Sequence, residues 1–243
     1  MAISGRFEGY IFGDCEENPF PKVSKIIDGE FGARGQTSDR EILSSITQFQ
    51  SDRGKYVVVI ARTIEAVTCI VLNAIIAFED QMRDQETEFY FFPSHINDDI
   101  RHGVDAIVYR KNTKTHPPKF EPIAGIDLTV SGEQFTQKKR DIAQKGWTRG
   151  LYFNGNGGTI TLPHIVLYHH LDPIRSIMEG AELSDGIKTY RDLQVFVNRS
   201  MRHLLDNGHG GNLNINLHMD HGGRSEETPN YIRAMDQLLG RGD

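Results

Sequence analysis

The spacing of apolar residues changes character several times along this chain, and each change predicts an element. Between residues 13 and 37 no helical or strand period persists. Gly13, Pro19, Pro21, Gly29, Gly32 and Gly35 interrupt every run, so this stretch reads as an extended N-terminal arm or loop. Ser38-Asp39-Arg40-Glu41 has the form of a capping box, and Ile42, Leu43, Ile46 and Phe49 follow at helical spacing, which predicts a helix at about 39–53. Tyr56 to Ile60 is a β-branched run and predicts a buried strand. Ile64 to Met82 is apolar almost all round, which predicts a helix near 64–82 buried in the middle of the fold.

The strand period returns in Glu88 to Phe92, Val104 to Tyr109 and Ile123 to Val130. A helix is expected over Ser131 to Lys145. Leu151-Tyr-Phe and Thr159 to Tyr168 then flank Asn154-Gly-Asn-Gly-Gly like the arms of a hairpin. Three more helices carry start signals. Asp172-Pro173 supplies a cap and a first-turn proline, with Gly180 closing the segment; Thr189 opens a longer helix with Leu193, Phe196, Val197, Leu204 and Leu205 on one face; Thr228-Pro229 repeats the cap and proline before Ile232, Met235 and Leu239. Strands and helices are mixed without strict alternation. The expected class is therefore α+β, a mixed or antiparallel sheet with about five to six helices, in a single domain over 1–243 with a possible seam near 131.

Composition adds limits. The 243 residues carry 27 Lys and Arg against 33 Asp and Glu, a formal net charge of -6, which disfavours nonspecific nucleic-acid binding by the surface as a whole. The N-terminal sequence lacks the pattern of a secretory signal, and Arg62 and Glu65 interrupt the longest apolar run, so neither a signal peptide nor a membrane-spanning segment is expected. With two cysteines, Cys15 and Cys69, in unlike settings, a reducing compartment is favoured, and the expected location is the cytoplasm or a virion.

The richest candidate for chemistry is the stretch from Asn207 to Arg224. A strand leading from Leu213 would set Asn214, Asn216 and His218 on one face, with Asp220 and His221 at its end. Together with His209 these could hold a divalent metal, zinc or manganese, because imidazole and carboxylate are its usual ligands and a catalytic zinc needs three of them plus water. His218-Met-Asp220-His221 resembles half of the metallo-β-lactamase-type motif, but Asn216 stands where that family has its first histidine, and the resemblance is set aside. His169 and His170, at a strand end before a helix start, could act as a base beside Asp220. A polar turn rich in Gly, Asn and His accounts for the same residues without a metal. Asn154 to Gly158 reads as a hairpin turn, since the Gly-Lys-Ser/Thr ending of a phosphate loop is missing. Paired carboxylates such as Asp98-Asp99 and Glu226-Glu227 read as solvated surface.

Charge distribution says more than any motif. Residues 79–105 carry eight acids against Arg83 and Arg101, and residues 110–149 are predominantly basic. Such a dipolar chain is suited to association with protein partners or with copies of itself, and the 110–149 block is where an anionic ligand or nucleic acid would bind locally. No nucleophile signature accompanies these features. The reading taken from sequence is therefore a non-enzymatic structural or assembly subunit, of the kind found in a virion or phage-tail-like particle. The alternative is a metal-dependent hydrolase or transferase built on His209, His218, Asp220 and His221.

Overall fold

The computed structural model describes residues 20–32, 44, 47–48, 55–129, 132–145, 148–151, 159–207, 214–220 and 225–241; of the strands at 214–220 and 225–230 it describes the backbone alone. Their organisation is α+β, as expected. The helices are α1 (Pro21–Ile27, continued by a π turn at Asp28–Gly32), α2 (Lys55–Met82), α3 (Ile96–His102), α4 (Gly132–Lys145), α5 (Asp172–Leu183), α6 (Tyr190–Asp206) and α7 (Tyr231–Leu238). The strands are β1 (Phe89–Pro93), β2 (Ala106–Asn112), β3 (Lys119–Thr129), β4 (Thr148–Leu151), β5 (Thr159–Leu162), β6 (His164–His169), β7 (Asn214–Asp220) and β8 (Ser225–Asn230).

Six strands form one mixed sheet in the order β1-β2-β3-β6-β7-β8, and β4 pairs with β5 in a separate hairpin. All neighbours are antiparallel except β3 and β6, which run parallel with α4 in the connection between them. Such a crossover is what parallel pairing demands. Alternation then divides the strand residues between two faces. Phe89, Phe91, Ala106, Val108, Ala124, Ile126, Ile165 and Leu167 join the main core, with Val67, Ile70, Leu72 and Ile75 of α2, Ile174 and Met178 of α5, and Leu193, Val197 and Met201 of α6. Val166 packs on the other face against Phe135 of α4, while Ile107 joins Val104 and Leu162.

Several boundaries differ from the sequence reading. Tyr56 to Ile60, expected as a strand, is the opening of α2. Nucleation is the costly step of a helix, and extending one already buried from Ile60 onward costs only the small propensity deficit of Val and Ile. Of the arm expected at 13–37, the described part is a packed helix: Phe20, Val23 and Ile27 are buried in the main core. Lys22 Nζ donates to the carbonyls of Ala181, at 3.2 Å, and Ser184, so the lysine satisfies carbonyls at the C-terminal end of α5. The helix expected at 39–53 lies almost wholly outside the described residues.

α5 runs through Gly180 to Leu183, and its N-cap is Leu171, with Asp172 already in the first turn. A Cβ on Gly180 would lie 3.0 Å from Phe196 Cζ, so the glycine lets α5 and α6 approach closely. Thr189 does cap α6: its Oγ1 accepts from the Asp192 N–H at 3.2 Å, and Asp192 Oδ2 accepts from the Thr189 N–H at 2.9 Å. Thr228 and Pro229, expected to open the last helix, lie in β8, and α7 begins at Tyr231. Among the described residues β8 is an edge strand, and edge strands tolerate proline because one of their sides needs no ladder partner.

Candidate functional site

Five elements bring ionisable side chains to the end of the sheet where β2 begins and β3 finishes. Glu65 comes from α2, Asp99 from α3, Asp105 from the residue before β2, Asp127 from β3 and Lys138 from α4. The positions follow from register. Ala106 pairs with Ile126, so the next step outward sets Asp105 opposite Asp127 across two antiparallel strands. Ile126 faces the main core, which turns Asp127 toward the face covered by α4, where Lys138 forms an ion pair with its Oδ1. His164 opens β6 on the same face, its Nε2 3.8 Å from Asp127 Oδ2.

One carboxylate oxygen each of Glu65, Asp99 and Asp105 lies within 4.8 Å of the other two, a spacing that could hold a metal ion. Arg62, one turn ahead of Glu65, closes one side: its Nη1 is 2.8 Å from Glu65 Oε2 and 3.9 Å from Asp99 Oδ2, and its Nη2 donates to the Ser94 carbonyl at 2.7 Å. Asp105 is fixed by the Leu128 N–H, which donates to its Oδ2 at 2.6 Å. Glu65 and Asp127 are both only 8% exposed, so these charges lie out of bulk water.

Their protonation follows from burial and crowding. Burial pushes the Glu65 carboxyl up to about 8 despite the neighbouring Arg62. Asp105 is raised well above the usual carboxylate range, first by burial, then by Asp127, Glu65 and Asp99. Burial acts upward on Asp127 too, but Lys138 and His164 outweigh it and hold the group below its ordinary value. Lys138 and Arg62 stay cationic: burial would lower each, and the surrounding carboxylates raise both. Four carboxylates thus face two fixed cations, an excess of two negative charges when all ionise, and Glu65 and Asp105 are the two acids inclined to keep a proton. Cys69, one turn past Glu65, is a buried free thiol raised first by burial and then by Glu65, so it is a weak nucleophile.

The chain matches no protein-family model, no curated protein and no solved structure.

The residues singled out from sequence are placed differently. His209 and His221, like Cys15, lie outside the described residues. His218 and Asp220 are in β7, opposite Glu227 and Ser225 of β8, with their backbone alone described. His169 ends β6 opposite Ile215, and His170 is exposed with its ring edge-on to Tyr168 at 5.6 Å. In register, His218 pairs with Val166, which pairs with Asp127, so a whole strand position separates that histidine from the carboxylates. The solvated reading of Asp98-Asp99 is overturned: Asp98 is 1% exposed, and Asp99 belongs to the cluster. A signal for the cluster was present in the sequence. Glu65, with Arg62, interrupts the apolar run of α2, and Asp127 stands in the apolar stretch Ile123 to Leu128, at positions the pattern reserves for the core.

Proposed function

We propose that this chain is a divalent-cation-dependent hydrolase of phosphodiesters, with nucleic acid as its substrate class. The observation that carries the reading is the convergence, within 4.8 Å, of oxygens from Glu65, Asp99 and Asp105. An all-oxygen donor set suits a hard cation, magnesium or manganese, and such ions characteristically join one or two carboxylates to substrate phosphate. The excess of two negative charges matches the charge of that ion. Glu65, Asp99 and Asp105 would hold the cation, which would supply Lewis acidity toward a water molecule and a phosphoryl oxygen of the substrate.

Lys138, kept protonated by Asp127, Asp105 and Asp99, is suited to stabilising charge that develops on the phosphate and is a poor general base. Lys139 and Arg140 follow in the same helix and add positive charge to α4, although on other sides of it, which favours an anionic over a small neutral substrate. The alternative reading of a zinc or manganese site near 209–221 falls largely outside the described side chains, and this proposal rests on the carboxylates, whose oxygen donors suit magnesium or manganese better than zinc. The assembly-subunit reading leaned on the acidic and basic blocks as outward-facing patches. Two of the basic members are paired within the chain, Lys111 with Glu86 at 2.6 Å and Lys138 with Asp127, so that support is weakened.

The test is cleavage of plasmid, single-stranded DNA and RNA with magnesium, manganese or chelator. Wild type is expected to cut at least one of them in a metal-dependent way, and Asp105→Asn to lose about a hundredfold or more of the rate while melting normally. Absence of metal-dependent cleavage on all three, together with no manganese binding by calorimetry, would overturn the reading.

A further inference from the structure

Arg62 stands where an arriving ion would have to compete with it. Its Nη1 is 2.8 Å from Glu65 Oε2 and 3.9 Å from Asp99 Oδ2, on two of the three residues that offer a donor oxygen. A magnesium or manganese ion about 2.1 Å from that same Glu65 oxygen would lie no more than roughly 5 Å from the guanidinium, with both cations in a site largely closed to water. Lys138 also bears on Asp99 and Asp105, but its ion pair is with Asp127, outside the three-donor group. Arg62 also has somewhere to go. Its side chain is 18% exposed, and beyond the carboxylates its hydrogen bond in this region is to the Ser94 carbonyl, at 2.7 Å.

We infer that Arg62 is a resident cation of the carboxylate site: it holds Glu65 by a hydrogen bond and lies beside Asp99 while no divalent ion is bound, must swing off them for the ion to enter, and so sets the metal affinity. This rests on the reading of the carboxylates as a divalent-cation site. A free guanidinium presents a planar fork that matches phosphate oxygens, so the group released from the acids is suited to receive the substrate's phosphate. The inference therefore assigns Arg62 two alternating partners, the carboxylates in the metal-free chain and the phosphate in the loaded one.

The experiment titrates manganese into the full chain by calorimetry for wild type, Arg62→Gln and Arg62→Lys, with thermal melting of each in chelator and in manganese. Removing a competing charge is expected to tighten manganese binding about tenfold or more in Arg62→Gln, and the shorter, more compact ammonium of Arg62→Lys should fall in between. Manganese should also raise the Tm of Arg62→Gln more than that of wild type. Equal or weaker binding by Arg62→Gln, with wild type binding well, overturns the role of Arg62 and leaves the site standing. No binding by either protein overturns the site itself. Should Arg62→Gln fail to fold in chelator, Arg62→Lys decides: tighter binding than wild type supports the inference, and equal or weaker binding refutes it.

Discussion

Two buried carboxylates lie on the same helix about four turns apart, Glu65 toward the start of α2 and Asp80 toward its end, and their surroundings differ in charge balance. Asp80, fully buried, forms an ion pair with Arg241, which also lies 5.4 Å above the Phe89 ring, and Arg83 bridges Glu79 at 3.5 Å and Asp236 at 2.8 Å. There each arginine ties α2 to the C-terminal segment. At the other end Arg62 is set against three carboxylates whose oxygens crowd within 4.8 Å. A cluster that fastens elements together is close to balanced where it stands. A buried surplus of one sign has to be met by protons or by a ligand, and that contrast separates a fastening from a site.

The comparison can be broken most severely at the balanced end. Arg241→Ala leaves Asp80 buried without its counterion and is expected to cost about 3–5 kcal/mol, or roughly 10 °C in Tm, with no change in the response to manganese. A loss under about 1 kcal/mol in urea unfolding would remove Asp80 and Arg241 from the class of structural ties.

The opposite end should respond with the opposite sign. Glu65 titrates near 4.5 when unfolded and about 8 when folded, so the folded chain binds the extra proton and stability falls as pH rises through that window. Glu65→Gln cannot ionise and can still accept from Arg62. Its stability relative to wild type should grow by up to about 1.4 kcal/mol per pH unit between roughly pH 4.5 and 8, measured by urea unfolding at pH 5, 7 and 9. A flat difference across that range would show that Glu65 carries no unmet charge.

A third substitution supplies a scale that touches neither cluster. Thr189→Ala removes the capping box of α6 and should cost about 1 kcal/mol, or roughly 2–4 °C, at every pH and with or without metal. Any pH or metal dependence in that variant would mean that the effects at Glu65 are not local.

The elements of this fold were largely legible because their signals are local. β1, β2, β3, α4 and α6 follow from apolar period and caps, each readable within a few residues. Errors arose where a local preference was outweighed by a distant partner. The β-branched Tyr56 to Ile60 became helical by continuing α2, and Pro229 was accepted by a strand because that strand is at an edge. Glu65 and Asp127 each stood out alone as acids in apolar runs, but their convergence was not legible, for the same reason. Glu65, Asp99, Asp105 and Asp127 share no motif spacing. They meet because β2 and β3 pair in one register and α2 and α3 close over the end of that pair. His209, His218 and His221, by contrast, attracted notice because they are close in sequence.

Asn73 has a bearing on how copies of this protein can meet. Its side-chain amide accepts from the Phe91 N–H at 2.7 Å and donates to the Phe91 carbonyl at 2.8 Å, on the side of β1 that faces away from β2. A strand from another molecule adding to β1 would need those two groups first. At the far edge, Pro229 of β8 has no N–H to offer. Both margins of the sheet, as the described residues form it, are thus blunted against templated growth, and oligomers of this chain, if they form, are expected to join through helices and side chains and not by extending the sheet.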